Sequence, residues 1–372
     1  MGTRRTLLTK TGACVGASVL SWASPGHSQA QIPWRMPDEG EPHLRTWMAF
    51  GASADIWGQA LLPAVQRDLA ELARTIARYE PVSMLVRHAE RATAEKLLAG
   101  APIRLIEAAL DDLWIRDTGP SFVVNPSRPG ERGALQLNFN GWGNKQAHAQ
   151  DARVAALISG HAGVPLLHTP LVLEGGSLEV DGQGTAIISE SCVLNPNRNP
   201  GLGKEAVEAE LKRLLGLTRI IWLPGIRGRD ITDGHTDFYA RFARPGVVVA
   251  GYDPDPQSYD HAVTQAHLQI LRKARDARGL QLEVAVLQAP QALGPKAQGA
   301  NFAAGYIGFY LCNGAVISQK FGDDKADQAA RHLLQQVFAG RVVEQLRMDA
   351  IAAGGGSVHC ATQQEPRASA AA

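Results

Sequence analysis

The chain is short of cysteine, of net charge and of long apolar runs, and each shortage removes a class of protein. Its 372 residues hold four cysteines, Cys14, Cys192, Cys312 and Cys360, with no CxxC pair among them. Neither a disulfide framework nor a thiolate zinc cluster is written here. Lys and Arg number 37 against 36 Asp and Glu, so no basic field is available for nucleic acid. No run approaches the roughly 18 apolar residues that cross a bilayer, so no stable membrane anchor is expected. Aromatics are sparse at 6%, while hydrophobic residues reach 45%, as in an ordinary globular enzyme.

The first residues read as an address. Arg4-Arg5 precede a mild apolar stretch from Thr11 to Ala23, and Ser28-Gln29-Ala30 supplies small residues for cleavage. Residues 1–30 are expected to be a twin-arginine-type signal segment that engages the export machinery and leaves a periplasmic or secreted protein. Its removal takes Arg4, Arg5, Lys10 and Cys14 and no acid, so the remainder turns slightly acidic. Three cysteines then remain, an odd number, so at least one thiol is free. Cys192 and Cys312 lie in apolar, strand-like runs and are expected to be buried.

Behind the signal, short strands alternate with amphipathic helices. Leu61, Leu62, Val65, Leu69, Leu72 and Ile76 recur at helical spacing before the strand-like Val82–Val86. Helical patterns return at Glu90–Leu98, Asp151–Ser159, Lys204–Leu215, Asp260–Arg278 and Lys325–Phe338. Further strand-rich stretches, Leu171–Glu174, Thr185–Ser189, Val247–Ala250 and Phe302–Ser318, exceed what a plain βα alternation needs. The expected fold is α/β, with mixed sheets in several similar modules. No linker divides residues 31–367, which are read as one catalytic domain; residues 368–372 are expected to be a disordered tail.

Five segments join glycine to reactive side chains. Trp114-Ile115-Arg116-Asp117-Thr118-Gly119-Pro120 ends a strand-like piece in a turn bearing a carboxylate. Leu173-Glu174-Gly175-Gly176-Ser177 lets backbone approach a ligand beside an acid, or forms an edge bulge. In Asp233-Gly234-His235-Thr236-Asp237, His235 and Asp237 share one face if the segment is extended. That suits a His beside a cation-binding carboxylate, or two metal ligands, although no third ligand lies nearby. Gly354-Gly355-Gly356-Ser357-Val358-His359-Cys360 presents a thiol without steric cover, or a small buried Cys on a last strand. A phosphate loop is excluded because no Lys-Ser/Thr follows and Pro366 leaves no room for a helix. Asn138–Gly143, with Trp142, could wall a pocket or cap a core.

One Cys, one His and several carboxylates admit two chemistries. A thiol protease needs a single acid or amide to orient its His. Attack on a guanidinium needs more acid, because this always-charged fork is a poor electrophile until two carboxylates clamp it. The surplus of loop carboxylates favours the second.

At these residues the chain resembles the agmatine deiminase and Porphyromonas-type peptidylarginine deiminase family of the guanidine-modifying superfamily. The resemblance runs from Arg35-Met36-Pro37 and Glu41-Pro42-His43 to Thr362-Gln363-Gln364-Glu365-Pro366, with Asn197-Arg198-Asn199-Pro200 and Phe321-Gly322-Asp323 in order between. It implies a five-module pseudo-symmetric α/β propeller of the pentein kind, with its pocket on the axis. It implies Cys360 as nucleophile and His235 as general acid and base. Asp117 and Asp237 would be the guanidinium clamp, Glu174 a third acid, and Trp114 a pocket wall. No metal or cofactor is implied. The substrate expected is a small guanidino compound, agmatine first and peptidyl-arginine behind it. Amidino transfer and a non-catalytic periplasmic binding protein remain as alternatives, and an oligomer is possible. Ile231, Asp233 and Gly308 depart from the agmatine deiminase pattern, which puts the pocket's far end in question.

Overall fold

The computed structural model describes Trp34–Gly294 and Asn301–Ala368. The expected signal over residues 1–30, and most of the expected tail, lie outside them. No helix of the described residues is long and apolar enough to cross a membrane.

One small motif is laid down five times. The first sheet takes β1 (His43–Phe50), β2 (Val82–Val86) and β3 (Ile103–Glu107), all parallel. Helix Ala54–Ile76 crosses between β1 and β2, burying Val65, Leu69, Leu72 and Ile76 on one stripe. β2 reads Val-Ser-Met-Leu-Val and is buried throughout, as a strand covered on both faces must be.

The next four sheets share a single plan. They are β4–β6 (Ser121–Val124, Arg132–Gln136, Leu166–His168), β7–β9 (Leu178–Val180, Thr185–Ser189, Arg219–Leu223), β10–β12 (Ala240–Arg244, Val247–Tyr252, Glu283–Gln288) and β13–β15 (Tyr310–Cys312, Ala315–Gln319, Val342–Leu346). In each, the first two strands are antiparallel and the third joins in parallel. A helix makes each crossover: Val154–Ala162, Lys204–Leu215, His261–Lys273 and Asp324–Val337. Gly216, at φ 68°, ends the second of these in the left-handed cap that glycine reaches freely.

The last strand, β16 (Gln363–Pro366), returns to β1, pairing Trp47 with Gln363 and Thr46 with Gln364 in antiparallel register. The first module thus gains its antiparallel strand from the chain's other end, and with β3 as an added fourth strand it repeats the plan of the other four. This is the five-module α/β propeller.

Several local expectations change. Leu171–Glu174 forms no strand, because its amides go elsewhere: Leu173 to the Leu137 carbonyl and Val172 to the Asn199 side chain. The helix expected over Asp260–Arg278 stops at Lys273. There Asp276 Oδ1 accepts from the amides of Arg278 and Leu280, a turn that competes with helix. Cys192 is buried as expected, but on a helical turn, Glu190–Val193, rather than a strand. The strand-rich stretch Phe302–Ser318 holds a hairpin only from Tyr310 on.

The reactive segments lie at one recurring place, the crossing into the first strand of a module. Asp117 precedes β4, Glu174 precedes β7, His235 and Asp237 precede β10, and Cys360 precedes β16.

Candidate active site

Three of these crossings are single helical turns rather than extended chain, the Glu174 crossing through Gly175–Ser177. Asp117 sits on Ile115–Thr118, and Asp237 on the 3-10 turn Thr236–Phe238. The strand alternation that was to put His235 and Asp237 on one face is therefore not what aligns them. The turn does so, and Gly176 shows how tightly. A Cβ there would stand 2.6 Å from His235 Nδ1, 3.0 Å from Asp117 Oδ1 and 3.1 Å from Asp237 Oδ2. Glycine is required because three ionisable side chains close around its backbone.

Asp117, His235, Cys360, Trp114 and Trp142 wall a cavity of about 460 Å³. Glu174 and Asp237 stand behind that wall, in contact with His235 and Cys360 respectively. All seven expected residues are thus brought together. The triple glycine works differently from the expectation of an uncovered thiol. The places of Gly354 and Gly356 are taken by the rings of Trp57 and Trp114, which lie 5.7 Å apart. Cys360 is only 5% exposed.

Around Asp117, Trp142 Nε1 donates to Oδ2 at 3.0 Å and the Gly176 amide to Oδ1 at 3.1 Å. Burial nonetheless pushes its carboxyl up to about 6, against the pull of His235. His235 places Nε2 3.2 Å from Glu174 Oε2 and Nδ1 3.8 Å from Asp117 Oδ1. Burial alone would lower its pKa; Asp117, Cys192 and Glu174 outweigh it and hold the imidazole well above its ordinary value. Glu174 also accepts from Arg198 Nε at 2.8 Å. Cys360 Sγ lies 3.4 Å from Ser357 Oγ and 3.7 Å from Asp237 Oδ2. Burial, then Asp237 and Asp117, drive its thiol well above the ordinary cysteine value. In the absence of a cation, this sulfur is a thiol.

Asp237 Oδ1 is fully buried and has no hydrogen-bond partner among the described residues. A buried carboxylate oxygen without a donor is costly and marks a place built for one. Among the described residues, Glu174, Cys192 and His235 could between them hold a metal ion. The Arg198 guanidinium already occupies Glu174, and burial raises the Cys192 thiol to about 11, so the trio disfavours a cation.

Two further residues join this group that no sequence motif marks: His359, beside Cys360, and Glu39, near the start of the described chain. Glu39 Oε2 faces His359 Nε2 at 3.0 Å, and His359 Nδ1 faces Asp237 Oδ2 at 2.7 Å. Adjacency to the thiol was the available signal for His359; Glu39 had none. Of the departures, Asp233 is turned away from the cavity. Its Oδ2 holds Arg198 Nη1 at 2.7 Å and Lys145 Nζ at 2.8 Å. Ile231 does line the mouth, with Asp230, Tyr259 and Asp260. Gly308 packs on Ser357, whose Cβ would lie 2.3 Å from an added one.

A five-module propeller that gathers a thiol, a histidine and three carboxylates about one cavity defines the guanidine-modifying class of hydrolase. The sequence profile of the Porphyromonas-type peptidyl-arginine deiminase family matches residues 35–366, and the chain belongs to that family. It is 37% identical over 355 residues to the agmatine deiminase of Ectopseudomonas mendocina, covering 90% of this chain and 95% of that one. The agmatine deiminase of Pseudomonas aeruginosa is 36% identical over 355 residues, with the same coverage. Among solved structures, the agmatine deiminase of Enterococcus faecalis superposes with a TM-score of 0.84 at 33% identity, covering 90% of this chain and 96% of that one.

Proposed function

We propose that the protein hydrolyses agmatine to N-carbamoylputrescine and ammonia. The observation that carries the chemistry is the gathering of His235, Asp117 and Asp237 around Gly176, with Cys360 Sγ 3.7 Å from Asp237 and one Asp237 oxygen left unpartnered. The guanidinium lies between Asp117 and Asp237, which bind its N–H groups and turn its carbon to Sγ. Its positive charge also offsets the two carboxylates that hold the proton on Cys360, so the thiol releases that proton to solvent as substrate binds and the thiolate forms.

The thiolate attacks the guanidinium carbon. His235, carrying its proton beside Glu174, gives it to the departing nitrogen, and ammonia leaves an amidino-cysteine. The neutral His235 takes a proton from water, and the hydroxide adds to the same carbon. Collapse breaks the C–S bond and releases the ureido product, with Cys360 regenerated. Trp114 and Trp142 exclude bulk water from the cavity wall.

The names of the relatives favour agmatine. So does the mouth, where Asp230 and Asp260 supply negative charge for a distal ammonium, while the Tyr259 face is taken by Arg229 at 3.9 Å. The test is turnover of agmatine, free arginine and a blocked arginine peptide, with ammonia and ureido product measured. Agmatine is expected to be preferred, and Cys360→Ala to be silent. Ammonia release undiminished in Cys360→Ala would overturn the mechanism. Tight binding without turnover would favour a binding protein, and movement of the amidine onto an added amine would favour transfer.

Residues 31–367 are read as one catalytic unit, preceded by an export signal at 1–30 that would leave it periplasmic or secreted. Arg4-Arg5 support this, as does a family match that begins only at residue 35. Retention of an Arg4→Lys/Arg5→Lys chain in the cytoplasm would support the reading; unchanged export would count against it.

A further inference from the structure

His359 has a carboxylate oxygen at each ring nitrogen: Asp237 Oδ2 at 2.7 Å from Nδ1 and Glu39 Oε2 at 3.0 Å from Nε2. All three side chains are buried. An ionised carboxylate only accepts, so two such neighbours require two N–H donors, and a ring with both is an imidazolium. Both neighbours are held toward the ionised form. Burial would raise Glu39, but Arg241, His359 and Arg116 hold it well below the ordinary range; Asp237 is likewise held down against burial, chiefly by His359.

A wider charged cluster adjoins them. Arg241 bridges Glu39 Oε1 at 2.7 Å and Glu179 Oε2 at 2.8 Å, and Arg116 Nη2 meets Glu39 Oε2 at 2.9 Å. Glu39, Glu179 and Asp237 share one buried cluster with Arg116, Arg241 and His359; burial raises the carboxyls of Glu179 and of the neighbouring Asp38, the latter to about 8. Glu39 is itself immobile, since the Leu311 amide also donates to Oε1 at 2.9 Å.

We propose that His359 is a positioning residue for the deimination: an imidazolium anchored on Glu39, it fixes the Asp237 carboxylate through Oδ2 and leaves Oδ1 to receive the substrate guanidinium. Through Asp237 it sets the angle between that guanidinium and Cys360 Sγ, which faces the same Oδ2 at 3.7 Å. The inference rests on the reading that Asp237 binds a guanidinium. His359 does not touch the substrate, so its loss acts on binding and alignment rather than on proton transfer.

The test joins spectroscopy to kinetics on the full chain. In the wild-type protein labelled with 15N-histidine, the His359 ring is expected to show two N–H signals at neutral pH, one of them lost in Glu39→Gln. This reading needs neither substrate nor a foldable His359 variant. In kinetics, His359→Gln is expected to raise KM for agmatine at least tenfold with a smaller change in kcat. It should also move the acidic limb of kcat/KM to higher pH, and cost less than threefold more when added to Asp237→Asn. A singly protonated ring in the wild type, or a full additional loss in the Asp237→Asn background, would overturn the proposal. A wild-type protein that turns over no guanidino compound would instead overturn the reading on which it rests.

Discussion

Trp142 and Asp117 are joined by a 3.0 Å hydrogen bond from the indole Nε1 to the carboxylate proposed as half of the guanidinium clamp. The bond has a conformational cost. Trp142 holds φ at 55°, a left-handed value that a bulky residue adopts only when its surroundings insist. Phe139, edge-on at 5.0 Å, locks the ring in place.

Trp142→Phe removes that donor and leaves Asp117 with the Gly176 amide alone. The Asp117 carboxyl, already about 6, then rises further. A carboxylate needed as an anion is active above its pKa and lost below it. Wild-type kcat/KM should therefore fall as pH drops through about 6, and the Trp142→Phe limb should lie higher. At neutral pH the lost bond, worth roughly 1–3 kcal/mol, lowers kcat/KM on the order of tenfold. Superposed pH profiles would remove Trp142 from the account.

Asp237→Asn should separate two effects that usually run together. Turnover falls on the order of a hundredfold, as roughly 2–4 kcal/mol of clamp is lost. The Cys360 thiol, however, is raised by burial and by Asp237, so removing that charge lowers its pKa. Alkylation of the substrate-free protein by iodoacetamide should then reach its midpoint at lower pH than in the wild type. A midpoint unmoved or raised would show that Asp237 does not act on the sulfur.

The architecture was largely legible, and the reason lies in particular patterns. Lys204–Leu215 keeps an apolar stripe of Val207, Leu211 and Leu214 over three turns and ends at a glycine, so its limits were plain. His261–Lys273 carries a similar stripe, but the turn that stops it is built by Asp276 against later amides, a side-chain contest that periodicity does not register. At the site, Cys360, His235, Asp117 and Glu174 stood out because glycine surrounds them. Glu39 lies in a short polar stretch 320 residues before its partner His359. Only the closure of β16 onto β1 brings those ends together, and no local pattern announces it.

Arg198 is a structural test of the same region. It is buried between Glu174 and Asp233, at 2.8 and 2.7 Å. Arg198→Met leaves two buried carboxylates short of a cation, a change of about 3–5 kcal/mol by analogy with other broken buried pairs. Chemical denaturation should show the midpoint fall accordingly. A shift below about 1 kcal/mol would mean that Lys145 and His235 compensate.

At the mouth, Ile231 is 37% exposed and lines the cavity beside Asp230. Ile231→Glu adds a carboxylate where a distal ammonium would lie, and should lower KM for agmatine about threefold to tenfold with kcat nearly unchanged. Asp230→Asn should raise KM by a similar factor. If neither variant moves KM, the ammonium end lies elsewhere.

The central claim is that Cys360 bonds to the guanidinium carbon. Intact-protein mass spectrometry of the wild-type protein, quenched in acid during turnover of agmatine, reads that bond directly. The amidino-cysteine is expected to be present in the steady state. The protein should carry an adduct on the Cys360 peptide with the mass of agmatine less ammonia, absent in Cys360→Ala. Ureido product formed with no adduct at Cys360 in any quenched sample, and persisting in Cys360→Ala, would contradict the account.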